Sequence, residues 1–185
     1  KIFGDNWELH IRRFIVFIFI FTTLINSAAY SEKIEDQLLT TEYYLSYDLV
    51  NDQIMFSNNA DEPIAPASLT KLMTALLLLD SYNLGDFIEI DFPDNYVYEG
   101  KVAYLESGQQ MTIESLLEFI LIYSANDACI AASIIVSDSY EDFIVLMNNK
   151  ARELGMSNTN FNNPDGLDSI NHYSSLNDLL ILSKE

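Results

Sequence analysis

The sequence predicts an α+β fold in which antiparallel strands come first and helices then pack around one buried helix. Three observations predict it. Residues 43–47 and 53–56 are rich in aromatic and branched side chains and flank 48–52, with its two Asp and one Asn, which is the pattern of a β-hairpin. Residues 66–80 follow with strong helix formers that are apolar on every side except at Ser68, Thr70, Lys71 and Thr74, so the segment reads as a helix buried nearly all round. Further on, segments opening near 112, 128 and 140 repeat apolar residues at helical spacing.

Taken in order, the chain begins with Arg12-Arg13, an apolar run over 14–25 and then Asn26-Ser27-Ala28-Ala29. This basic, apolar, small succession predicts a secretory signal peptide over 1–29, cleaved near Ala29, because the apolar run is shorter than the roughly 18 residues that span a bilayer. Residues 30–185 then form the folded part. Residues 31–41 are acidic and read as a short helix or loop, and 58–66, with Pro63 and Pro66, deliver an extended chain to the buried helix. Asn83-Leu84-Gly85-Asp86 ends that helix, 87–92 alternates like a short strand, and 93–110 reads as loops with brief strands. Thr112 is the expected N-cap of a helix carrying Leu116, Leu117, Ile120 and Leu121. A polar turn, 123–127, separates it from an apolar helix over 128–136. The helix over 140–154 is closed by Gly155 and has Phe143, Leu146, Met147 and Leu154 as its core face, with Lys150 and Arg152 outside. A loop over 157–168 follows, and Ser174 or Ser175 caps a last helix over 176–183.

Composition narrows the chemistry. The formal net charge of −19 becomes −20 once the three cations and two carboxylates of 1–29 are removed, and such a surface repels nucleic acid and anionic lipid. Cys129 is the only cysteine, so no internal disulfide holds the fold, and it reads as a small buried side chain. Beyond 29 there is one histidine, His172, so a zinc site built from several His and Cys ligands is excluded. His172 also stands in no pattern expected of a Ser-His-Asp triad. None of the six glycines belongs to a phosphate-cradling loop.

What the inventory allows is a serine activated by a lysine. Ser68 and Lys71 are three residues apart, which on a helix places both on one face. An ammonium in a buried helix must be paired or lose its proton, and an unprotonated amine can take the proton of a neighbouring hydroxyl. Capping by Ser68 and snorkelling by Lys71 would explain a bare Ser-x-x-Lys equally well. Lys71 is, however, the only Lys or Arg between Lys33 and Lys101. The free N–H groups of the first turn, including that of Ser68, could also stabilise an oxyanion. Ser124-Ala125-Asn126 is a second constellation: Ser124 could relay a proton from Lys71 to a leaving group, and Asn126 could donate to a substrate carbonyl.

These segments resemble the penicillin-binding serine D-alanyl-D-alanine carboxypeptidases of the low-molecular-weight type. Residues 66–75 look like the nucleophile segment of that family, and its Ser-x-x-Lys signature is a general one for penicillin-binding proteins and β-lactamases. Ser124-Ala125-Asn126-Asp127-Ala128 looks like the second motif. Phe143 with Met147-Asn148, Ala151 and Leu154-Gly155-Met156 resembles the stretch that follows, and Asn163-Pro164-Asp165-Gly166-Leu167 the loop after it.

The resemblance implies a β-lactamase/transpeptidase-like fold, an antiparallel sheet flanked by helices with an all-helical lobe. It also implies an exported enzyme, in the periplasm or on the outer face of the cytoplasmic membrane, that removes the terminal D-alanine from peptidoglycan stem peptides. Ser68 would be the acylated nucleophile, Lys71 its base, Ser124 the proton relay and Asn126 the substrate-orienting group. β-Lactam antibiotics would be covalent inhibitors, and no metal or organic cofactor is implied. The Lys-Thr-Gly motif and C-terminal strands of the family are absent, so the sequence is expected to be a fragment open at both ends. Peripheral association with the inner membrane would depend on a C-terminal segment outside it. A D,D-endopeptidase of the same family and a non-catalytic wall-binding protein are the alternatives. A class A β-lactamase is disfavoured, because 157–168 contains Asp165 and Asp168 but no glutamate to deacylate the enzyme.

Overall fold

A computed structural model describes residues 40–137 and 139–185. The expected signal peptide, and nearly all of the acidic lead-in, lie outside the described residues. Residues 43–185 form one compact unit. Strands β1 (Tyr44–Asp48) and β2 (Gln53–Asn58) pair antiparallel as a hairpin with a bulge between Ser46 and Tyr47. Asp48 closes the turn by accepting the Val50 and Asn51 amides at 2.8 and 3.1 Å.

The buried helix starts later than its composition suggests. Ala67–Leu69 form a 3-10 turn, and α1 runs from Thr70 to Ser81. Its exposed end is also longer than expected, with Leu79 46% exposed. Strands β3 (Phe87–Glu89) and β4 (Gln110–Thr112) make a second antiparallel pair. The sequence pattern assigned 111–112 to the opening of a helix. Thr112 in fact serves both elements: it ends β4 and caps α2 (Ile113–Leu121), its hydroxyl accepting the Ser115 amide at 3.2 Å.

Helix α3 (Asn126–Ser137) begins two residues earlier than its apolar run. Helix α4 (Tyr140–Leu154) is capped by Ser139 and closed by Gly155 at φ 83°, and α5 (Leu176–Lys184) is capped by Ser175. The core face of α4 is Phe143, Met147 and Ala151, whereas Leu146 is 37% exposed and Leu154 only partly buried. Lys150 does point outward, into an ion pair with Asp80 at 2.7 Å.

Helix α1 separates two apolar clusters, which is why it is apolar on so many sides. Ala75 and Leu78 pack with Ile113, Leu116 and Ile120 of α2 and with Ala128, Cys129, Ala131 and Ala132 of α3. Met73 and Leu77 pack with Phe143, Met147 and Ala151 of α4 and with Phe161 and Leu182. The alanine-rich face of α3 lets its backbone approach closely, so the N-terminus of α3 is brought against the start of α1. Among the described residues no helix is long and apolar enough to cross a membrane.

Candidate active site

The 3-10 turn that carries Ser68 is fixed from behind. Ala67 adopts φ 47°, a left-handed conformation that costs a non-glycine residue free energy and persists only where its surroundings hold it. What holds it is Gly166: a Cβ there would fall 1.9 Å from the Ala67 carbonyl oxygen and 3.0 Å from the Ser68 nitrogen. Gly166 itself has φ 87°, so glycine is required twice over. Its loop is braced by Asn163, whose Oδ1 accepts the Gly166 amide at 2.7 Å and whose Nδ2 donates to the Leu167 carbonyl at 2.7 Å. The loop is then tied to α1, Thr74 Oγ1 donating to the Pro164 carbonyl at 2.6 Å.

Lys71 is 3% exposed. Its Nζ donates to Asn126 Oδ1 at 2.8 Å and to the Asp165 carbonyl oxygen at 2.6 Å. No hydrogen bond joins it to Ser68, which is exposed; the shared face predicted by the three-residue spacing becomes a shared cleft instead. Ser68, Lys71 and Ser124 line one open cleft of about 460 Å³ with Pro66, Leu72 and Leu121 among its walls. Asn126 touches that cleft through Lys71.

The turn before α3 is equally constrained. Ser124 has φ 62°, and the next two residues are buried. Asn126 donates its backbone N–H to the Lys101 carbonyl at 2.7 Å and its Nδ2 to the Glu99 carbonyl at 3.1 Å. Asp127, fully buried, accepts the Ala103 and Leu105 amides at 2.9 Å each. The 99–105 segment is thus clamped to the N-terminus of α3 by two consecutive side chains.

Electrostatics distinguish the remaining titratable groups. Burial pushes the Asp165 carboxyl up, against the Leu167 amide and the Lys71 charge, which favour its ionised form. Burial also pushes the Cys129 thiol up, which leaves it inert. His172 is buried, and burial holds its imidazole below the usual range. The Asn162 amide donates to its Nδ1 at 2.9 Å, so the proton resides on Nε2, which donates to Thr70 Oγ1 at 2.9 Å. His172 therefore ties the 160–172 loop to the start of α1 and takes no part in a triad.

Its lowered pKa has a sign. The unfolded chain binds this proton more readily, so the contribution of His172 to stability is complete above about pH 6.5 and is lost as pH falls below it. Urea unfolding at pH 7.5 and 5.5 is expected to show a drop that is smaller in His172→Gln; equal drops would remove the assignment.

Among the described residues no group of His, Cys, Asp and Glu is arranged to hold a metal ion. The structure therefore brings together the four residues singled out in the sequence, and adds Asp127, Asp165, Gly166 and the Thr70–His172 pair. Asp127 could have been found as a carboxylate in the first turn of an apolar helix. The role of Asp165 could not, because its contribution is a backbone oxygen.

The D-alanyl-D-alanine carboxypeptidase family (peptidase S11) matches residues 30–185. The chain is 39% identical over 137 residues to the D-alanyl-D-alanine carboxypeptidase DacF of Bacillus subtilis, covering 72% of this chain and 35% of that protein. The crystal structure of DacD from Francisella tularensis superposes with a TM-score of 0.72 at 29% identity, over 79% of this chain and 36% of the other. Penicillin-binding protein D2 from Listeria monocytogenes, in its cefotaxime-bound form, superposes with a TM-score of 0.64 at 29% identity, over 78% and 61%. The chain thus spans well under two thirds of the length of the curated relatives it matches. With the α+β architecture, the Ser-x-x-Lys turn and the Ser-x-Asn turn meeting at one cleft, the chain belongs to the D-alanyl-D-alanine carboxypeptidase family of low-molecular-weight penicillin-binding proteins.

Proposed function

We propose that the complete protein is a serine-type D-Ala-D-Ala carboxypeptidase that removes the terminal D-alanine from peptidoglycan stem peptides through an acyl-enzyme on Ser68. The observation that carries this reading is the environment of Lys71. Its two acceptors, Asn126 Oδ1 and the Asp165 carbonyl, are neutral oxygens. Nitrogen has three positions beyond its bond to carbon; with two of them directed at these oxygens, one remains through which a proton can be exchanged with Ser68 across the cleft.

In this scheme Ser68 Oγ bonds to the carbonyl carbon of the penultimate D-alanine as its proton passes to Lys71. The carbonyl oxygen becomes an oxyanion, for which the Ser68 amide is one donor. The tetrahedral adduct collapses, the peptide C–N bond breaks, and Ser124 passes the proton on to the departing amine of D-alanine. Water then attacks the Ser68 ester by the reverse proton path, releasing the shortened peptide. The second oxyanion donor and the pocket for the terminal carboxylate would come from the Lys-Thr-Gly strand that the family resemblance expects. The basic, apolar, small succession over 1–29 supports export to the peptidoglycan side of the membrane.

β-Lactams would acylate Ser68 by the same attack and stay bound, since no glutamate stands in 157–168 to deacylate it. Protein taken from its source cells and treated with benzylpenicillin is expected to gain one penicillin in intact mass, with the adduct mapped to the peptide holding Ser68. No adduct, or an adduct elsewhere, overturns the reading in favour of a wall-binding role. Turnover of a pentapeptide against a cross-linked dimer separates the carboxypeptidase from the endopeptidase.

A further inference from the structure

Lys101 stands apart from the other cations among the described residues. Lys71 is buried in the cleft wall, Lys150 pairs with Asp80 and Glu153, Lys184 pairs with Asp52, and Arg152 bonds Asn149 on the outer face of α4. The Lys101 ammonium instead lies over the ring of Tyr123, 4.5 Å from its centroid, with no carboxylate in ion-pair reach among the described residues. The chain has 28 Asp and Glu against 9 Lys and Arg, so an ammonium clear of carboxylates is kept clear by geometry.

That geometry is set by the backbone. Glu99 and Lys101 both offer their carbonyls to Asn126. Gly100 between them has φ 69°, and a Cβ there would fall 2.5 Å from Asn126 Nδ2. Residues 99–101 thus lie along Asn126, while the Lys101 side chain reaches back to the residue before Ser124. Lys101 spans the Ser124-Ala125-Asn126 turn from end to end. A ring face holds a cation without consuming its N–H donors, which stay available to a third group.

We propose that Lys101 is a specificity-determining residue that docks a carboxylate on the acyl-donor part of the substrate, beside the Ser124-Ala125-Asn126 turn. The inference rests on the proposed acylation of Ser68 and on Asn126 as the substrate-orienting group. The substrate class it names is a stem peptide carrying a free side carboxylate upstream of the bond being cut. On a surface that otherwise repels anions, one cation at the rim of the turn selects for that group.

The test compares carbenicillin, whose side chain carries a carboxylate, with benzylpenicillin, which lacks it, using protein from the source cells and its Lys101→Gln and Lys101→Arg variants. The ratio of the two acylation rates is expected to fall roughly tenfold in Lys101→Gln, as for loss of a charge-assisted hydrogen bond, and to return in Lys101→Arg. In the unmodified protein the ratio is expected to shrink at ~1 M salt, where exposed charges are screened. A ratio unchanged in Lys101→Gln, with benzylpenicillin still acylating the protein, overturns the role of Lys101 and leaves the proposed function standing. Failure of both penicillins to acylate the unmodified protein overturns the proposed function and this inference with it.

Discussion

Lys71→Met is expected to slow acylation of Ser68 by penicillin by roughly two to four orders of magnitude, the usual range for removing a general base. Methionine has a similar reach and suits a site that is 3% exposed, so the cleft keeps its shape. Asn126 Oδ1 and the Asp165 carbonyl lose their donor, and each costs about 1–3 kcal/mol if left without another. Removal of a buried amine offsets part of that cost. The measurement is the growth of the penicilloyl adduct with time, by intact mass, beside a thermal melt. A rate that falls while the melting temperature moves by only a few degrees places the loss in chemistry. An unchanged rate would strip Lys71 of its proposed role.

Gly166→Ala has the next largest effect, and it acts on the fold and on Ser68 together. The added methyl would sit 1.9 Å from the Ala67 carbonyl oxygen, a backbone atom that cannot swing aside, at a φ of 87° that alanine disfavours. The conformational cost of about 1–2 kcal/mol and an overpacking cost of about 1–3 kcal/mol give roughly 3 kcal/mol of lost stability. For a domain of this size that is a fall in melting temperature of roughly 6–12 °C. Relief of the clash must move either the 163–167 loop, which carries the Asp165 carbonyl bonded to Lys71, or the turn that carries Ser68. Acylation is therefore expected to fall in the fraction that remains folded. A normal melt with normal acylation would show that the contact between Gly166 and Ala67 is unimportant in solution.

Much of this arrangement was readable before any coordinates. The hairpin, the buried helix, the cap at Thr112, a serine cap at 174 or 175 and the closing Gly155 are local features, dictated by side chains within a few residues of one another. That Ser68 stands near Lys71 in the chain, and Ser124 near Asn126, was readable for the same reason. What was not readable depends on partners far away in sequence. Strand β4 is three residues long and ends on the cap of α2, so no period could announce it. The three-residue spacing put Ser68 against Lys71, but it could not show that Asn126 and a backbone oxygen at 165 would claim the lysine. Nor could it show that a 3-10 turn would set Ser68 in the open. Lys101 and His172 carried no pattern at all; what each side chain meets is set only by what lies across from it.

The bonds that hold the first turns of α1 also impose an order in time. Thr70 waits for His172, 102 residues later; Lys71 waits for Asp165, 94 later, and for Asn126, 55 later; Thr74 waits for Pro164, 90 later. A chain emerging from its N-terminus therefore exposes the serine and lysine well before anything exists to orient them. Helix α1 can form early from its own propensity, but each of these bonds closes a long loop whose entropy must be met first. The segment that carries Ser68 is among the first parts of this unit to be made, and its final geometry is among the last to arrive.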